Sequence, residues 1–261
     1  MSIEILNCPQ GSSEWHEARA GAITASMFGE VMKVTGGLTE QQQSYVDALK
    51  SGTPEPEARK IAGYKAKPTT DKIQRALDGE TVGDWTEVAK SYAFRLAVER
   101  ISGKPLDEGF ETWAMRRGHE LEPEARATHA LKHGLDIEEA GFVRTTDSKF
   151  GASADGLIAK DGGSEYKCFI APDSLRPIVI DGNIDDYLPQ CQGGLWLTGR
   201  KWWHFCVYCP ALSGASKDLL VFPIKRDDEY IERMETTLVK FDGLVESFRA
   251  RIMENEQRVA A

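Results

Sequence analysis

The sequence predicts a mixed α/β fold in which one central mixed sheet lies between layers of helix. Segments with apolar residues at helical spacing alternate with short β-branched and aromatic runs, in the order helices, three strands, helix, two strands, helix. Within that order, Phe150 to Phe169 (FGASADGLIAKDGGSEYKCF) reads as two strands joined by an Asp-Gly-Gly turn. The chain is also large enough for a sizeable core, with 261 residues of which 41% are hydrophobic.

Glu14–Ala20 is expected to be a short helix capped by Ser12 or Ser13, and Thr24 to cap a second helix running to about Lys33. Residues 34–83 read as an insertion into a single domain spanning 1–261, because TGG and GETVG mark turn-rich edges. Inside it, helical patterns cover Glu40–Ser51, Glu55–Ala62 and Thr69–Asp78. From Lys33 to Arg75 there are eight Lys/Arg against five acids, a net of +3 in a chain of net charge −9. Three short helices with basic loops fit a helix-turn-helix-like module that contacts DNA, and they fit equally a helical insertion that only packs on the body. The insertion is similar to the small helical DNA-binding modules of phage terminase small subunits.

Asp84–Ile101 is expected as an amphipathic helix whose Trp85, Val88, Ala89, Tyr92, Leu96 and Ile101 face the core. Glu111–His133 reads as a second long helix, although Pro123 is awkward in a helix interior and suggests a start near Glu122. Ile137–Arg144 alternates like a strand; the pair Ala152–Ala159 and Glu165–Phe169 follows. Asp186–Thr198 reads as a helix, Trp202–Tyr208 and Leu219–Ile224 as strands, and Asp227–Arg258 as an acidic closing helix on the outside.

No run of 18 apolar residues predicts a membrane span. The start MSIEILNCPQ lacks the basic-then-apolar pattern of a secretory signal, and five unevenly spaced cysteines fit reduced thiols in a cytoplasm. The acidic balance argues against a protein that coats nucleic acid nonspecifically, but not against a nuclease, whose site is itself acidic.

The chemistry concentrates in the strand pair. Asp155, nine residues and then Glu165-x-Lys167 place two carboxylates and an ammonium together, with Glu165 and Lys167 on one strand face. Such a cluster is costly unless something binds, and a divalent cation would neutralise the acids. The same residues also fit an ordinary turn followed by an exposed charge pair. Arg19 and Ser26 beside a helix start suggest a phosphate site, and each also fits a plain surface or capping role. In RGHELEPEAR the acids 120, 122 and 124 cannot share one face, and Glu122 by itself reads as solvated.

Taken together these pieces resemble the phage lambda exonuclease family, the YqaJ-type viral recombinases of the PD-(D/E)xK nuclease superfamily. The matching pieces keep one order: WHEARAGAITAS at 15–26, RGHELEPEAR at 117–126, GASADGLI at 151–158, EYKC at 165–168 and YLPQCQGGLWLTGRKWWHFCVYCP at 187–210. The resemblance implies a restriction-endonuclease-like PD-(D/E)xK core and a 5′-to-3′ exonuclease that degrades one strand of linear double-stranded DNA. It implies a homotrimeric ring, a single-strand annealing protein as partner, and a phage or prophage gene acting in a bacterial cytoplasm. By the resemblance, Asp155, Glu165, the backbone carbonyl of Tyr166 and Glu122 hold Mg²⁺, two ions with Mn²⁺ as a substitute. That assignment reverses the solvated reading of Glu122. Lys167 positions and activates the attacking water, and burial among cations would depress its pKa. Arg19, Ser26, Ser153 and Gln190 hold phosphate, with Gln192 and Tyr187 in support. Ser-Ala-Asp replaces the family's Ser-Pro-Asp, Phe169 stands in place of its proline, and 34–83 has no counterpart in compact members.

Overall fold

The computed structural model describes residues 2–80, 82–106, 113–168 and 171–254. It divides into two compact units, one of residues 1–32 with 91–261 and one of residues 33–90.

In the larger unit, β1 (Ile3–Leu6) is followed by α1 (Ser13–Arg19), whose N-terminus is closed by Ser12 accepting from the Trp15 amide. The chain then turns at Gly21, forms β2 (Ile23–Thr24) and enters α2 (Ala25–Met32). Gly21 has a φ of +75°, and a Cβ there would stand 2.8 Å from Arg100 Cγ, so the turn requires glycine.

The smaller unit contains β3 (Val34–Thr35), α3 (Glu40–Lys50), α4 (Glu55–Ile61), α5 (Asp71–Leu77) and β4 (Asp84–Trp85), with β3 and β4 antiparallel. Its core is Tyr45, Val46, Ala58, Ile73 and Ala76. Thr39 and Gln42 form a reciprocal capping box at the start of α3.

The helix expected from Asp84 begins instead at Glu87, as α6 (Glu87–Ser102), because Asp84 and Trp85 pair as a strand with Val34 and Thr35. Val88 and Ile101, expected in the core, are 60% and 39% exposed. α7 (Trp113–His133) runs through Pro123 rather than starting beside it, and Glu111 lies outside the described residues. Burial of Leu121 and Ala125 against Tyr166, Cys206 and Tyr208 holds the helix across the proline.

The expected single sheet is two sheets in this unit. After β5 (Ile137–Glu138) come β6 (Phe142–Thr145), β7 (Phe150–Ser153), β8 (Gly156–Ile158) and β9 (Gly162–Cys168). One sheet has the order β1-β6-β7-β2. The expected strand Ile137–Arg144 is thus split between sheets, and Ala152–Ala159 is split at Ala154–Asp155. The Asp155 carboxylate accepts the Tyr166 amide at 2.7 Å, a side-chain bond that competes with the regular ladder. α8 (Pro172–Asp181), α9 (Leu188–Thr198), β10 (Trp202–Tyr208), β11 (Leu219–Lys225) and α10 (Asp228–Met253) complete the unit. The second sheet has the order β11-β10-β9-β8-β5, with β10 parallel to β9 and the other neighbours antiparallel.

α10 is amphipathic rather than wholly external: Ile231, Met234, Leu238, Phe241 and Val245 are buried. Residues 255–261, where the expected helix ended, lie outside the described residues. Asp242 is buried beside the apolar side chains of α10 and accepts from Arg100 and Lys149, each at 2.7 Å. Arg100 also donates to the Gly21 carbonyl at 2.8 Å, so this ion cluster fixes the turn before β2. Asp242→Ala, which leaves Arg100 with only the half-exposed Glu246 and the Gly21 carbonyl, is expected to lower unfolding free energy by about 1–3 kcal/mol in a urea titration.

Candidate active site

Asp155, at the crossover from β7 to β8, and Glu165, in the middle of β9, are both buried. Burial, together with the Glu122 charge, raises the Asp155 carboxyl to about 7. Burial and then the Asp155 charge raise Glu165 to about 7. Lys167 lies two residues beyond Glu165 and donates to Glu165 Oε1 at 2.8 Å. Burial pulls the Lys167 ammonium down, but the Glu165 and Asp155 carboxylates outweigh it and hold Lys167 above its ordinary value. The depression expected of Lys167 is one that neighbouring cations would cause, by neutralising these carboxylates and adding like charge. Gln190, in the first turns of α9, also donates to Glu165 Oε1.

Glu122 reaches the same place from α7. Burial raises its pKa while Arg126, one turn on and 3.0 Å away, opposes the rise. Arg126 also pairs closely with Glu139. The neighbouring acids go elsewhere, as the alternation demands: Glu120 pairs with Arg117 at 2.9 Å and Glu124 accepts from the Tyr208 hydroxyl at 2.7 Å.

The opposite wall comes from α1, β2 and α2. The Arg19 guanidinium lies 3.8 Å from the centre of the Trp15 ring. The Trp15 indole donates to Ser153 Oγ at 2.8 Å, and Ser26 Oγ lies 3.2 Å from Thr24 Oγ1. One cleft of about 470 Å³ is lined by Arg19, Ser26, Glu122, Ser153, Asp155, Glu165, Tyr166, Lys167 and Gln190. The cleft thus gathers every residue singled out from the sequence for metal or phosphate. A larger groove of about 860 Å³ in the smaller unit, lined by Leu38, Asp47, Ala48 and Ile61 among others, carries no such carboxylate–lysine arrangement.

Gln192 and Tyr187 stand behind the site. Gln192 donates to the Lys225 carbonyl at 2.9 Å and accepts from the Asp227 amide at 3.1 Å, and Tyr187 stacks on Phe205 with ring centres 4.7 Å apart. Phe169, where the family's proline was missed, lies outside the described residues. The sequence reading passed over Trp15, Gln10, His119 and Arg126, which line or brace the cleft. Two of these carried a signal: Trp15 precedes Arg19, and Arg126 follows Glu122, by one helical turn.

The donor set is made of hard oxygens: two buried carboxylates, a third from α7 and a strand carbonyl at Tyr166. It fits a divalent cation such as Mg²⁺. Among the described residues no three His, Cys, Asp or Glu side chains already stand in coordination geometry. Glu165 and Glu122 instead take the ammonium and guanidinium beside them.

No curated protein matches the chain. Among solved structures it is similar to the alkaline exonuclease LHK-Exo from Laribacter hongkongensis, at 26% identity and a TM-score of 0.65, covering 95% of this chain and 100% of that one. The same enzyme in complex with dAMP matches with a TM-score of 0.66 and 26% identity over the same shares. A phage related exonuclease from Haemophilus somnus 129PT, at 14% identity and a TM-score of 0.50 over 85% of this chain and 99% of that one, shares the fold. The mixed sheets flanked by helices are of the PD-(D/E)xK type seen in the alkaline exonuclease. The model of the YqaJ-like viral recombinase domain matches residues 14–201, which takes in α1, α7 and the whole carboxylate–lysine strand, and the chain belongs to that family.

Proposed function

We propose that the protein is a Mg²⁺-dependent 5′-to-3′ exonuclease that degrades one strand of linear double-stranded DNA and leaves a 3′ overhang for strand annealing. The observation that carries this reading is the single cleft in which Asp155, Glu165, Lys167 and Glu122 face Arg19, Ser26, Ser153 and Gln190. A relative of the same fold holds dAMP, the kind of 5′-mononucleotide such a reaction releases.

Asp155, Glu165, Glu122 and the Tyr166 carbonyl would hold Mg²⁺, as two ions, or Mn²⁺ in its place. The cations would supply charge neutralisation at the phosphoryl oxygens and at the leaving oxygen. Lys167 orients the attacking water and donates to the scissile phosphate. Arg19, with Ser26 and Ser153, receives the 5′-phosphate, and the Trp15 ring fixes the guanidinium plane. Each cut regenerates a 5′-phosphate, so the same pocket draws the strand forward. Gln190 keeps Glu165 in place. The smaller unit, with its basic loops, contacts the duplex. The working assembly is a homotrimeric ring around DNA with an annealing protein beside it, in the cytoplasm of a bacterial host carrying the phage or prophage gene. No described helix is long and apolar enough to cross a membrane.

Three labelled duplexes with Mg²⁺ test the reading: linear with 5′-phosphate, linear with 5′-hydroxyl, and covalently closed. Fast loss of the 5′-phosphorylated strand alone supports it, and cutting of the closed circle replaces it with an endonuclease. Arg19→Ala is expected to lose the preference for 5′-phosphate by about tenfold or more, the value of one charge-assisted contact, and to shorten runs on long duplexes. Unchanged run length in that variant would remove the forward-drawing role of the pocket.

A further inference from the structure

We infer that His129, His133 and His204 form a second metal site, one for Zn²⁺ or a similar nitrogen-preferring ion, on the face of β9 opposite the Glu165 carboxylate. His129 and His133 are one helical turn apart on α7, so their rings share a face. His204 projects from β10 against that face. His129 Nε2 and His204 Nδ1 already point at each other across 3.0 Å. Two imidazole nitrogens on one tetrahedral ion stand about 3.3 Å apart, given Zn–N bonds of about 2.0–2.1 Å.

The rings agree with the same arrangement. Ring centres are 5.2 Å apart for His129 and His133, 5.1 Å for His129 and His204, and 6.3 Å for His133 and His204. Imidazoles bound to one tetrahedral ion have centres roughly 5 Å apart by the same bond lengths. Only the third distance must close, and His133, exposed near the end of α7, is the ring with room to turn. Coordination needs that rotation and a small turn of the His129 and His204 rings that takes their facing nitrogens off the line between them, and for that reason the three rings do not yet form a coordination group.

The surroundings suit a ligand role. The Tyr166 hydroxyl lies 2.8 Å from His129 Nδ1, so it can accept that N–H and leave Nε2 with its lone pair directed at the ion. The proton shared between His129 and His204 then resides on His204 Nε2, so binding needs a tautomer change and no net loss of a proton. Cys206 Sγ lies 3.7 Å from His129 Nδ1, on the tyrosine side, and is not one of the three ligands. Trp202 packs on His204 with ring centres 4.7 Å apart and fixes its plane. An ion here ties α7, which carries Glu122, to β10, the parallel neighbour of the strand carrying Glu165 and Lys167.

Equilibrium dialysis against micromolar Zn²⁺, with millimolar Mg²⁺ to load oxygen sites, tests the site on the full chain. The expected result is one Zn²⁺ per chain, and with Co²⁺ in its place the visible absorption of a tetrahedral nitrogen-rich site. His133→Asn changes an exposed residue and leaves the buried His129 in place. It is expected to weaken Zn²⁺ binding by about tenfold or more, since even loss of a residue that merely braces a ligand costs that much. It is also expected to shrink the Zn²⁺-dependent rise in melting temperature while leaving the Zn²⁺-free melting temperature unchanged. Absence of Mg²⁺-resistant Zn²⁺ binding overturns the inference, as does binding that His133→Asn leaves intact.

Discussion

Lys167→Ala is expected to slow strand hydrolysis by about 10²–10⁴-fold while leaving binding to DNA ends within a few-fold of the unmutated protein. Lys167 is the cation of β9 that reaches the cleft, and it is 27% exposed, enough to meet a phosphate or water. The end-binding groups Arg19, Ser26 and Ser153 come from other elements and stay in place. A single-turnover assay on a 5′-phosphorylated duplex separates the two effects. The variant also has a stability signature. Without the ammonium, the buried Glu165 loses the charge that opposes its protonation, so its carboxyl rises further. A carboxyl raised above its unfolded value destabilises the fold as pH rises. In EDTA, Lys167→Ala is therefore expected to melt lower than the unmutated protein above about pH 7 and to approach it near pH 4. Hydrolysis at the normal rate in this variant would remove Lys167 from the chemistry.

The strand that carries the site was legible in the sequence because two independent signals coincide there. Period-2 placement puts Glu165 and Lys167 on one face, and a hairpin returns the chain so that Asp155 meets β9. Its turn, however, is residues 159–161, and the glycines of the expected Asp-Gly-Gly turn lie in β9 against Trp202 and Trp203. Helices with an end signal were legible too: Ser12 caps α1 and Asp227 caps α10. What periodicity could not give was the break at Ala154–Asp155. There a carboxylate, not a turn residue, takes the Tyr166 amide and ends the ladder, and that competition depends on a partner eleven residues away. Pro123 misled for a related reason. Its local penalty is about 3 kcal/mol, and burial of Leu121 and Ala125 on β9 and β10 offsets it. Val88 and Ile101 fit a helical stripe but fall on its exposed margin. The acids of RGHELEPEAR show the limit most clearly. Spacing says that all three cannot share a face, since Glu122 lies off the side that Glu120 and Glu124 share, but the Arg126 contact and the cleft identify Glu122 as the inward one.

Asp155→Asn is expected to abolish Mg²⁺-dependent hydrolysis and, in the absence of metal, to make the protein more stable. The two effects have one cause. Asp155 is a buried carboxylate beside two others, an arrangement suited to a cation and unfavourable without one. Its carboxyl lies at about 7 in the folded chain, above the ordinary 3.8. Below about pH 4 the group is protonated in both states and the substitution changes nothing through charge. Between about pH 4 and 7 the unfolded chain ionises it and the folded chain resists, so stability falls with pH; above 7 the loss is complete. Asparagine keeps an oxygen for the Tyr166 amide and removes the charge. The gain above pH 7 is expected to be about 1–4 kcal/mol, or about 2–4 °C in melting temperature for each kcal/mol. Melting curves in EDTA at pH 4.5 and pH 8 read the difference directly. With Mg²⁺ added at pH 8, the order is expected to reverse or narrow, because the unmutated protein gains binding energy that the variant has lost. If the variant melts lower than the unmutated protein in EDTA at pH 8, the buried carboxylates are held together by something other than the demands of a cation.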